Sequence, residues 1–215
     1  MKAILVNLAR AGLAGLLALS TLAGPRLQPD GESGAARDKK PGTALEAGLG
    51  AVDVTSQGCG QGVIAGLGVL HYIERNIAFE FSLERFSVPL EEGVLSLGKG
   101  RLSVIPATFS LVIRIGAGSR LAPYALLGAG FYFYSFAPEA AAAALEAHVT
   151  DRMAAHLGAG LEWAVTPRWA VGIDARYAPV STFIQPDRDA QPDPAVYPKV
   201  RFDQLAVRAV VRCYL

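Results

Sequence analysis

In several segments of this chain, apolar residues alternate with polar or small ones. Ten ionisable side chains lie at the alternate positions opposite the apolar residues, and side chains of these types could bind a ligand or take part in catalysis. They are Glu46, Glu80, Glu84, Arg114, His156, Glu162, Asp174, Arg176, Arg208 and Arg212. The five carboxylates nearly balance the four guanidinium groups and the one imidazole of this set. Charges buried in a low dielectric must be paired, because an isolated buried charge is very unfavourable. The set therefore predicts either a sealed mesh of ion pairs or the polar lining of a solute path.

Catalytic and cofactor chemistry finds little support in the sequence. A lipid hydrolase needs a serine, a histidine and a carboxylate that converge, and the chain has three histidines but no Gly-x-Ser-x-Gly motif. No His/Cys cluster has the spacing of metal ligands, and the basic residues form no stripe for nucleic acid. We predict that the protein is not an enzyme, holds no cofactor or metal, and has no nucleic-acid partner. His156 is then expected to be a hydrogen-bonded residue of the interior.

The clearest element that must position these charges is the segment Arg152 to Tyr177, which alternates with period two on both sides of one Thr-Pro-Arg turn. This pattern predicts a β-hairpin with one apolar and one polar face. Trp163 and Trp169 flank the turn on the apolar parity, and Tyr177 stands at the opposite end. Because aromatic rings collect at the headgroup level of membrane barrels, we predict membrane-interface positions for all three. A hairpin pair packed in a soluble core is the alternative.

Period-two segments recur along the chain and predict eight strands. They span about residues 43–54, 62–73, 77–86, 101–115, 123–136, 152–164, 169–182 and 202–215. Each is long enough for a tilted strand to cross a bilayer. The connections alternate between short turns and mostly longer segments rich in Gly, Pro and charge, as they do in outer-membrane barrels. The sequence therefore predicts an all-β fold, an eight-stranded antiparallel up-and-down transmembrane β-barrel.

The parity opposite the charged one is apolar and predicts a surface that meets lipid. Its members in the strands outside the hairpin are Leu45, Ala47, Leu49, Ala51, Val63, Ala65, Leu67, Val69, Ile77, Phe79, Phe81, Leu83, Ile105, Ala107, Phe109, Leu111, Ile113, Leu127, Ala129, Phe131, Phe133, Leu205, Val207, Ala209, Val211, Cys213 and Leu215. A lipid-facing Arg or Lys near the bilayer centre costs about 2–4 kcal/mol, and these sets contain none. We therefore predict an apolar exterior in contact with the lipid bilayer and a polar interior. A secreted lipocalin-like barrel would turn its apolar face inward instead.

Glycines such as Gly128, Gly158 and Gly160 share the parity of the charges. They could leave room for a solute or leave space for long Arg and Tyr side chains from facing strands. We favour the second interpretation, because large and small residues must alternate to fill a small barrel.

The amino-terminal region predicts export. Lys2 and Arg10 precede an uncharged run that ends in small residues, which is typical of a secretory signal peptide over residues 1–24 with cleavage near Ala23. Residues 25–42 are rich in Pro, Gly and charge and predict a flexible periplasmic leader. Residues 43–215 are assigned to the barrel, and we expect the mature protein in the outer membrane of a Gram-negative bacterium.

Several motifs between about residues 101 and 215 are shared with a known family of barrels. They comprise Pro106 and Thr108, Pro123 with Tyr124, Gly128 to Gly130, Phe131 to Phe136, Gly158 to Leu161, Trp169, and Asp174 to Tyr177. On these residues the chain resembles the OmpW family of eight-stranded outer-membrane barrels, whereas its first three strands match by pattern alone. Members of that family are thought to form narrow channels for small hydrophobic molecules. The resemblance therefore implies passive uptake of such solutes.

Two functions from different classes follow. The first is a narrow, porin-like passive channel of the cell envelope for small hydrophobic solutes, as the resemblance implies. The second is a structural or adhesion barrel whose lumen is plugged by salt bridges and which displays extracellular loops. In either case the alternation from Val207 to Leu215 predicts that the barrel-assembly machinery recognises the last strand, although such barrels usually end in an aromatic residue and this chain ends in Leu215.

Overall fold

The computed structural model describes the barrel region of the chain. The described residues are 42–55, 59–90, 99–116, 119–139, 148–185 and 199–215. The predicted signal peptide, residues 1–24, and all of the predicted leader except Gly42 lie outside these ranges, so both stay predictions. Among the described residues, no helix is long and apolar enough to cross a membrane.

Alternation of apolar residues with polar or small ones gives extended strands through most of this region. In chain order the strands are β1 Thr43–Thr55, β2 Gln61–Tyr72, β3 Ile77–Leu90, β4 Gly100–Arg114, β5 Leu121–Pro138, β6 His148–Val149, β7 Arg152–Ala164, β8 Trp169–Ala178, β9 Ser181–Gln185, β10 Lys199–Arg201 and β11 Asp203–Tyr214. Eight of them form one sheet, and the short strands β6, β9 and β10 form a second sheet of their own.

The large sheet closes into a barrel. Its strands follow the order β1-β11-β8-β7-β5-β4-β3-β2, and β2 pairs with β1 to complete the ring. All pairings around the ring are antiparallel. The predicted fold class is therefore confirmed: the chain forms an all-β, closed, eight-stranded antiparallel barrel. Closure leaves this sheet without a free edge, so the strands can satisfy one another's backbone groups.

The register of the strands sets their tilt. Starting at Thr43 on β1, each residue can be followed to its paired residue on the next strand, once around the barrel. This path returns to β1 at Asp53, ten residues further along the strand. The partners on the way are His71, Phe79, Leu111, Leu127, Leu157, Tyr177 and Leu205. An offset of this size corresponds to strands tilted by about 40° from the barrel axis. The same offset decides which inward side chains meet across the lumen.

The outer face of the barrel is apolar. Large hydrophobic side chains there are exposed, and Leu67 is 69 % exposed, Phe81 55 % and Leu127 64 %. In a soluble core these side chains would be covered, because their burial is the main force that stabilises such a core. A contiguous exposed apolar surface of this kind marks contact with a membrane or with another apolar partner.

The two ends of the barrel differ in their connections. At the turn end lie the first residue of β1, the last residue of β11 and the connections 73–76, 115–120 and 165–168. The loop end carries the mostly longer connections 56–60, 91–99, 139–151 and 179–202. At the turn end, the Thr166 hydroxyl oxygen accepts hydrogen bonds from the backbone N–H groups of Arg168 at 3.3 Å and Trp169 at 3.0 Å. These bonds close the β7–β8 hairpin that the sequence predicts.

The predicted strand 169–182 extends too far at its C-terminal end. β8 ends at Ala178, and β9 then pairs with β6 and β10 instead of the barrel strands. Pro179 accounts for the break, because proline has no N–H to donate to a sheet. In contrast, β3 and β5 run further than predicted, to Leu90 and Pro138, and lengthen the barrel wall at the loop end.

Candidate functional site

The lumen of the barrel is the candidate site, because it gathers the ionisable residues that the sequence singles out. The structure places all ten of them inside, each at most 8 % exposed. They project inward from β1, β3, β4, β7, β8 and β11, since each lies on the inward parity of its strand. The nine carboxylate and arginine members are called the ion-pair layer below.

Arg212 is central to the part of the ion-pair layer nearest the turn end. Its Nε lies 2.7 Å from Oε2 of Glu46, and its Nη1 lies 2.7 Å from Oε2 of Glu162. Arg114 binds the other oxygen of Glu162 at 2.5 Å. The Arg212 guanidinium also lies 4.6 Å from the centre of the Tyr124 ring, a cation–π distance. One buried arginine thus joins three neighbouring side chains across the lumen.

Arg208 and Arg176 connect the remaining carboxylates higher in the barrel. Arg208 donates to both oxygens of Asp174, at 2.9 and 2.7 Å, and also contacts Glu84. Arg176 lies 2.7 Å from Glu80 and 3.2 Å from Asp174. Bidentate contacts of this kind are the strongest that arginine makes with a carboxylate. The four arginines therefore hold the five carboxylates in one continuous network.

Three tyrosines that the charge pattern did not predict as site residues complete this network. Tyr214 donates to both oxygens of Glu162 at 2.9 Å, and Tyr124 donates to Asp174 at 3.2 Å. The hydroxyls of Tyr72 and Tyr214 lie 3.3 Å apart. All three tyrosines share the inward parity of the charges, and that parity was the signal that could have identified them.

Inward glycines provide the space that these long side chains occupy. A methyl group at Gly160 would lie 2.4 Å from Cζ of Tyr124, and one at Gly128 would lie 2.7 Å from the His156 ring. At Gly158 the added group would lie 3.2 Å from Arg176. These contacts agree with the favoured interpretation, in which the glycines accommodate side chains from neighbouring strands rather than a solute.

We expect the substitution Gly160→Ala to lower the free energy of unfolding by about 1–3 kcal/mol, because the new methyl group displaces the Tyr124 ring from a filled interior. Urea unfolding in lipid vesicles, followed by the fluorescence of the two tryptophans, measures this change. Gly68→Ala is the control, since its nearest neighbour is 3.2 Å away and the expected loss is smaller. Equal losses at the two positions would contradict the packing argument.

His156 lies at the upper edge of the ion-pair layer and is hydrogen-bonded, as the sequence predicts. Its Nε2 lies 2.8 Å from the Ser110 hydroxyl, while its Nδ1 has no hydrogen-bond partner among the described residues. A hydrolytic triad needs a carboxylate at that second nitrogen. The described part of the chain also contains no group of His, Cys, Asp and Glu residues that could hold a metal ion.

The half of the lumen toward the loop end is apolar, which corrects the prediction of a polar interior throughout. Its buried cluster consists of Val52, Val54, Ile64, Phe86, Val88, Leu90, Leu102, Val104, Tyr132, Tyr134, Val149, Ala178, Val180, Val200, Phe202 and Ala206. We call this region the upper lumen. Several members, such as Phe86 and Leu102, occupy inward-facing positions of the sequence pattern. The prediction of a polar interior considered only the ten charged residues and overlooked these apolar ones.

A cavity of about 30 Å³ marks the junction of the upper lumen and the ion-pair layer. Val52, Ile64 and Ala206 line its apolar side, whereas His156 and Arg176 line its polar side. A volume of this size accommodates about one water molecule. This cavity is therefore too small for a larger solute in this conformation.

The barrel wall is interrupted beside this cavity. The β3–β4 register pairs Leu83 with Ala107 and Phe86 with Val104, but it omits the residues between them. Pro106 lies in the gap and lines the cavity, and proline cannot donate a hydrogen bond to the neighbouring strand. We call this gap in the β3–β4 pairing the seam.

The predicted interface aromatics lie on the outer face. Trp163 and Trp169 are 47 % and 46 % exposed beside the β7–β8 turn. Tyr177 is only half-buried, and its hydroxyl donates to Asp203 at 3.0 Å. Arg201 binds the same carboxylate at 2.6 Å, and this hydrogen bond raises the pKa of the guanidinium. Tyr177 therefore belongs to a small polar group on β8, β10 and β11.

Fold and site together define a class, the small closed β-barrel with an apolar outer face and a charged, filled lumen. No protein-family model matches the sequence, and a search of curated proteins gives no match. Solved structures do match, and all of those described next are outer-membrane proteins.

OprG from Pseudomonas aeruginosa has a TM-score of 0.60 at 15 % identity, over 83 % of this chain and 98 % of that chain. AlkL, solved in lipid bilayers, has a TM-score of 0.58 at 19 % identity, over 89 % of this chain and 97 % of that chain. Outer membrane protein W of E. coli has a TM-score of 0.53 at 16 % identity, over 83 % of this chain and 100 % of that chain. At these identities the likeness establishes the shared barrel fold.

Proposed function

We propose that this chain is an OmpW-like protein of the outer membrane of a Gram-negative bacterium. The apolar outer face, the exposed tryptophans at the turn end and the fold shared with three outer-membrane proteins support this location. In this orientation the turn end faces the periplasm, and the loop end faces the outside. Recovery of the protein in the outer-membrane fraction, with a gel mobility that changes on heating, is the expected result; recovery in the soluble fraction would contradict it.

We propose that the barrel takes up small apolar solutes through the upper lumen. The observation that carries this proposal is the different filling of the two halves of the lumen. Apolar side chains surround the loop half, whereas the turn half holds the ion-pair layer together with a smaller buried cluster of Ala44, Leu70, Tyr72, Ala78, Val112, Tyr124 and Leu126. An apolar solute is stabilised when it leaves water for the first half, but the ion-pair layer then lies in its way along the axis. The ion-pair layer would in turn prevent ions from crossing along the axis.

We propose that the solute leaves sideways through the seam. The axial path is closed by the ion-pair layer, whereas the seam lies beside the cavity and lacks part of its strand pairing. On β3 the gap contains Glu84 on the inner face and Arg85 on the outer face, so an apolar molecule that leaves here passes beside these two charges before it reaches the bilayer. Opening there disrupts no strand pairing at the residues that the β3–β4 register already omits.

The decisive experiment uses vesicles whose outer leaflet is lipopolysaccharide, because this leaflet slows the passage of apolar molecules. We expect uptake of a medium-chain alkane above that of protein-free vesicles, together with no measurable ion conductance in planar bilayers. Uptake equal to that of protein-free vesicles at high protein load would overturn the transport proposal. A steady ion conductance would contradict the closed axial path.

The substitution Pro106→Val is expected to lower alkane uptake by about tenfold, an added barrier of about 1.4 kcal/mol. Valine supplies the missing N–H and suits a strand, so it strengthens pairing at the seam. Pro123→Val is the matched control, because Pro123 is exposed on the outer face of β5 and does not line the cavity. Equal uptake by the two variants would exclude the seam as the exit.

A structural or adhesion barrel is the second candidate function, and the filled ion-pair layer is the observation that favours it. A lumen closed at both the charged layer and the upper cluster suits a scaffold that displays loops. Large parts of the predicted external loops lie outside the described residues, including 91–98 and 140–147. The vesicle experiment separates the candidates, since a scaffold gives neither uptake nor conductance.

We propose two further properties that follow from the same location. β11 ends the barrel with alternating outward residues such as Leu205 and Ala209, a pattern that suits recognition by the barrel-assembly machinery. The protein is proposed not to be an enzyme, because the Ser110–His156 pair lacks a carboxylate at Nδ1 among the described residues. Hydrolysis of added phospholipid by the purified barrel would contradict the second property.

A further inference from the structure

A polar strip interrupts the apolar outer face of the barrel near the loop end. Ser87, Ser103 and Ser135 are register neighbours on β3, β4 and β5 and form one outward row. Arg85 lies one outward position before this row on β3, and Arg101 lies one outward position beyond it on β4. Both arginine side chains are exposed. These five residues are called the basic patch.

The patch lies near the upper limit of the apolar outer face, where Ile105 and Phe133 are still exposed and apolar just below the serine row. The outward row just below Arg85 consists of Leu83, Ala107 and Phe131, all apolar and paired in register. The patch therefore lies at the level where a bilayer around this face changes from hydrocarbon to headgroups. A long arginine side chain at this level can extend its charge toward the headgroups while its stem stays in the apolar region.

The patch carries positive charge that the described residues do not neutralise. In the described part of the chain, neither Arg85 nor Arg101 has a salt bridge or a side-chain hydrogen bond. The Ser87 and Ser103 hydroxyls lie 2.8 Å apart and bind each other. Beyond the patch, Glu139 is already paired with Lys99 at 3.0 Å.

The opposite side of the barrel differs at the same level. There Arg201 is paired with Asp203, and Asp53 adds an unmatched acid on β1. β1 is separated from β3 by β2, so Asp53 does not adjoin the patch. On the β5 side, the exposed Asp151 accepts a hydrogen bond from the backbone N–H of Tyr134, next to Ser135. Among the described residues of β3 and β4 at this level, Arg85 and Arg101 are the exposed charges.

We propose that the basic patch binds the phosphate groups of a glycolipid in the outer leaflet. Guanidinium groups bind phosphate oxygens through paired hydrogen bonds, and the serine hydroxyls add further donors between them. Clusters of basic residues beside a membrane-spanning segment commonly bind anionic headgroups. This inference rests on the proposed membrane location of the outer face but does not depend on solute uptake.

The test measures the affinity of the purified full-length barrel, in nanodiscs of zwitterionic lipid, for fluorescent lipid A. We expect Arg85→Gln with Arg101→Gln to weaken binding by about tenfold or more, in line with the loss of two charge-assisted contacts. Arg168→Gln is the matched control, because Arg168 is an exposed arginine at the turn end. The wild-type protein should also bind dephosphorylated lipid A more weakly than lipid A. The double variant should bind dephosphorylated lipid A with the same affinity as the wild type.

Equal affinity of the wild type and the double variant for lipid A would overturn the proposal, as would equal binding of phosphorylated and dephosphorylated lipid. Displacement of lipid A by equimolar inorganic phosphate would also overturn it, since the patch would then be a site for free phosphate. Stable incorporation into the nanodiscs reports the membrane location separately. Failure of the incorporated wild-type barrel to bind lipid A therefore contradicts this inference alone.

Discussion

Replacing Arg212 with alanine is expected to lower the free energy of unfolding by about 3–5 kcal/mol, because the change breaks buried ion pairs and leaves charges behind. Arg212 is 1 % exposed and holds Glu46 and Glu162, each at 2.7 Å. Without it, Glu162 loses a buried cationic partner, while Arg114 still binds its other oxygen. The stacking on Tyr124 is lost as well. Urea unfolding in vesicles, followed by tryptophan fluorescence, measures the change.

Two further variants test the reason for this loss. Arg120→Ala removes an exposed arginine at the turn end and is expected to change stability by less than about 0.5 kcal/mol. Combining Arg212→Met with Glu46→Gln removes one buried cation and one of its carboxylate partners together, while Glu162 keeps its contact with Arg114, so much of the stability should return. A double variant as unstable as Arg212→Ala would show that lost packing, and not unpaired charge, causes the effect.

Filling the upper lumen is expected to stop solute uptake while the barrel remains folded. Ala206 is buried on β11 and lines the cavity with Val52 and Ile64. We expect Ala206→Phe to reduce alkane uptake by about tenfold or more, an added barrier of at least about 1.4 kcal/mol. The substitution keeps the surface apolar, so no charge is buried, and overpacking is expected to cost about 1–3 kcal/mol of stability.

Ala209→Phe is the matched control for this substitution. Ala209 lies on the same strand but faces outward and is exposed, so a larger side chain there leaves the lumen unchanged. Uptake is normalised to the fraction of barrel that shows the heat-dependent gel shift. Undiminished uptake by Ala206→Phe would contradict a path through the upper lumen and would favour a scaffold function.

Local pattern was sufficient for the class of the fold and for the faces of its strands. A strand places successive side chains on opposite faces, so parity alone separates His156, Glu162 and Asp174 from Leu157, Leu161 and Ile173. Strand ends were less predictable. Pro179 ends β8 early, while β3 and β5 continue past the predicted limits because neighbouring strands pair with them there.

Pairing across the lumen could not be predicted from parity. Arg212 contacts Glu46 and Glu162, which lie 166 and 50 positions away in the chain. Which carboxylate an arginine reaches depends on the register accumulated around the closed barrel, and each strand taken alone leaves that register open. The basic patch was missed for a related reason, because Arg85 and Arg101 come to lie on either side of the Ser87–Ser103 pair only when β3 pairs with β4.

The amino-acid sequence by itself determined the antiparallel barrel, its apolar exterior and the ten charges of its interior, because side-chain parity is a local property of a strand. Only the tertiary structure decided that an apolar upper lumen adjoins the ion-pair layer, and that Pro106 leaves a seam beside their junction. Both features depend on the register between neighbouring strands. The register accumulates around the closed sheet to the ten-residue offset between Thr43 and Asp53, and this offset exists only once the last strand has paired with the first.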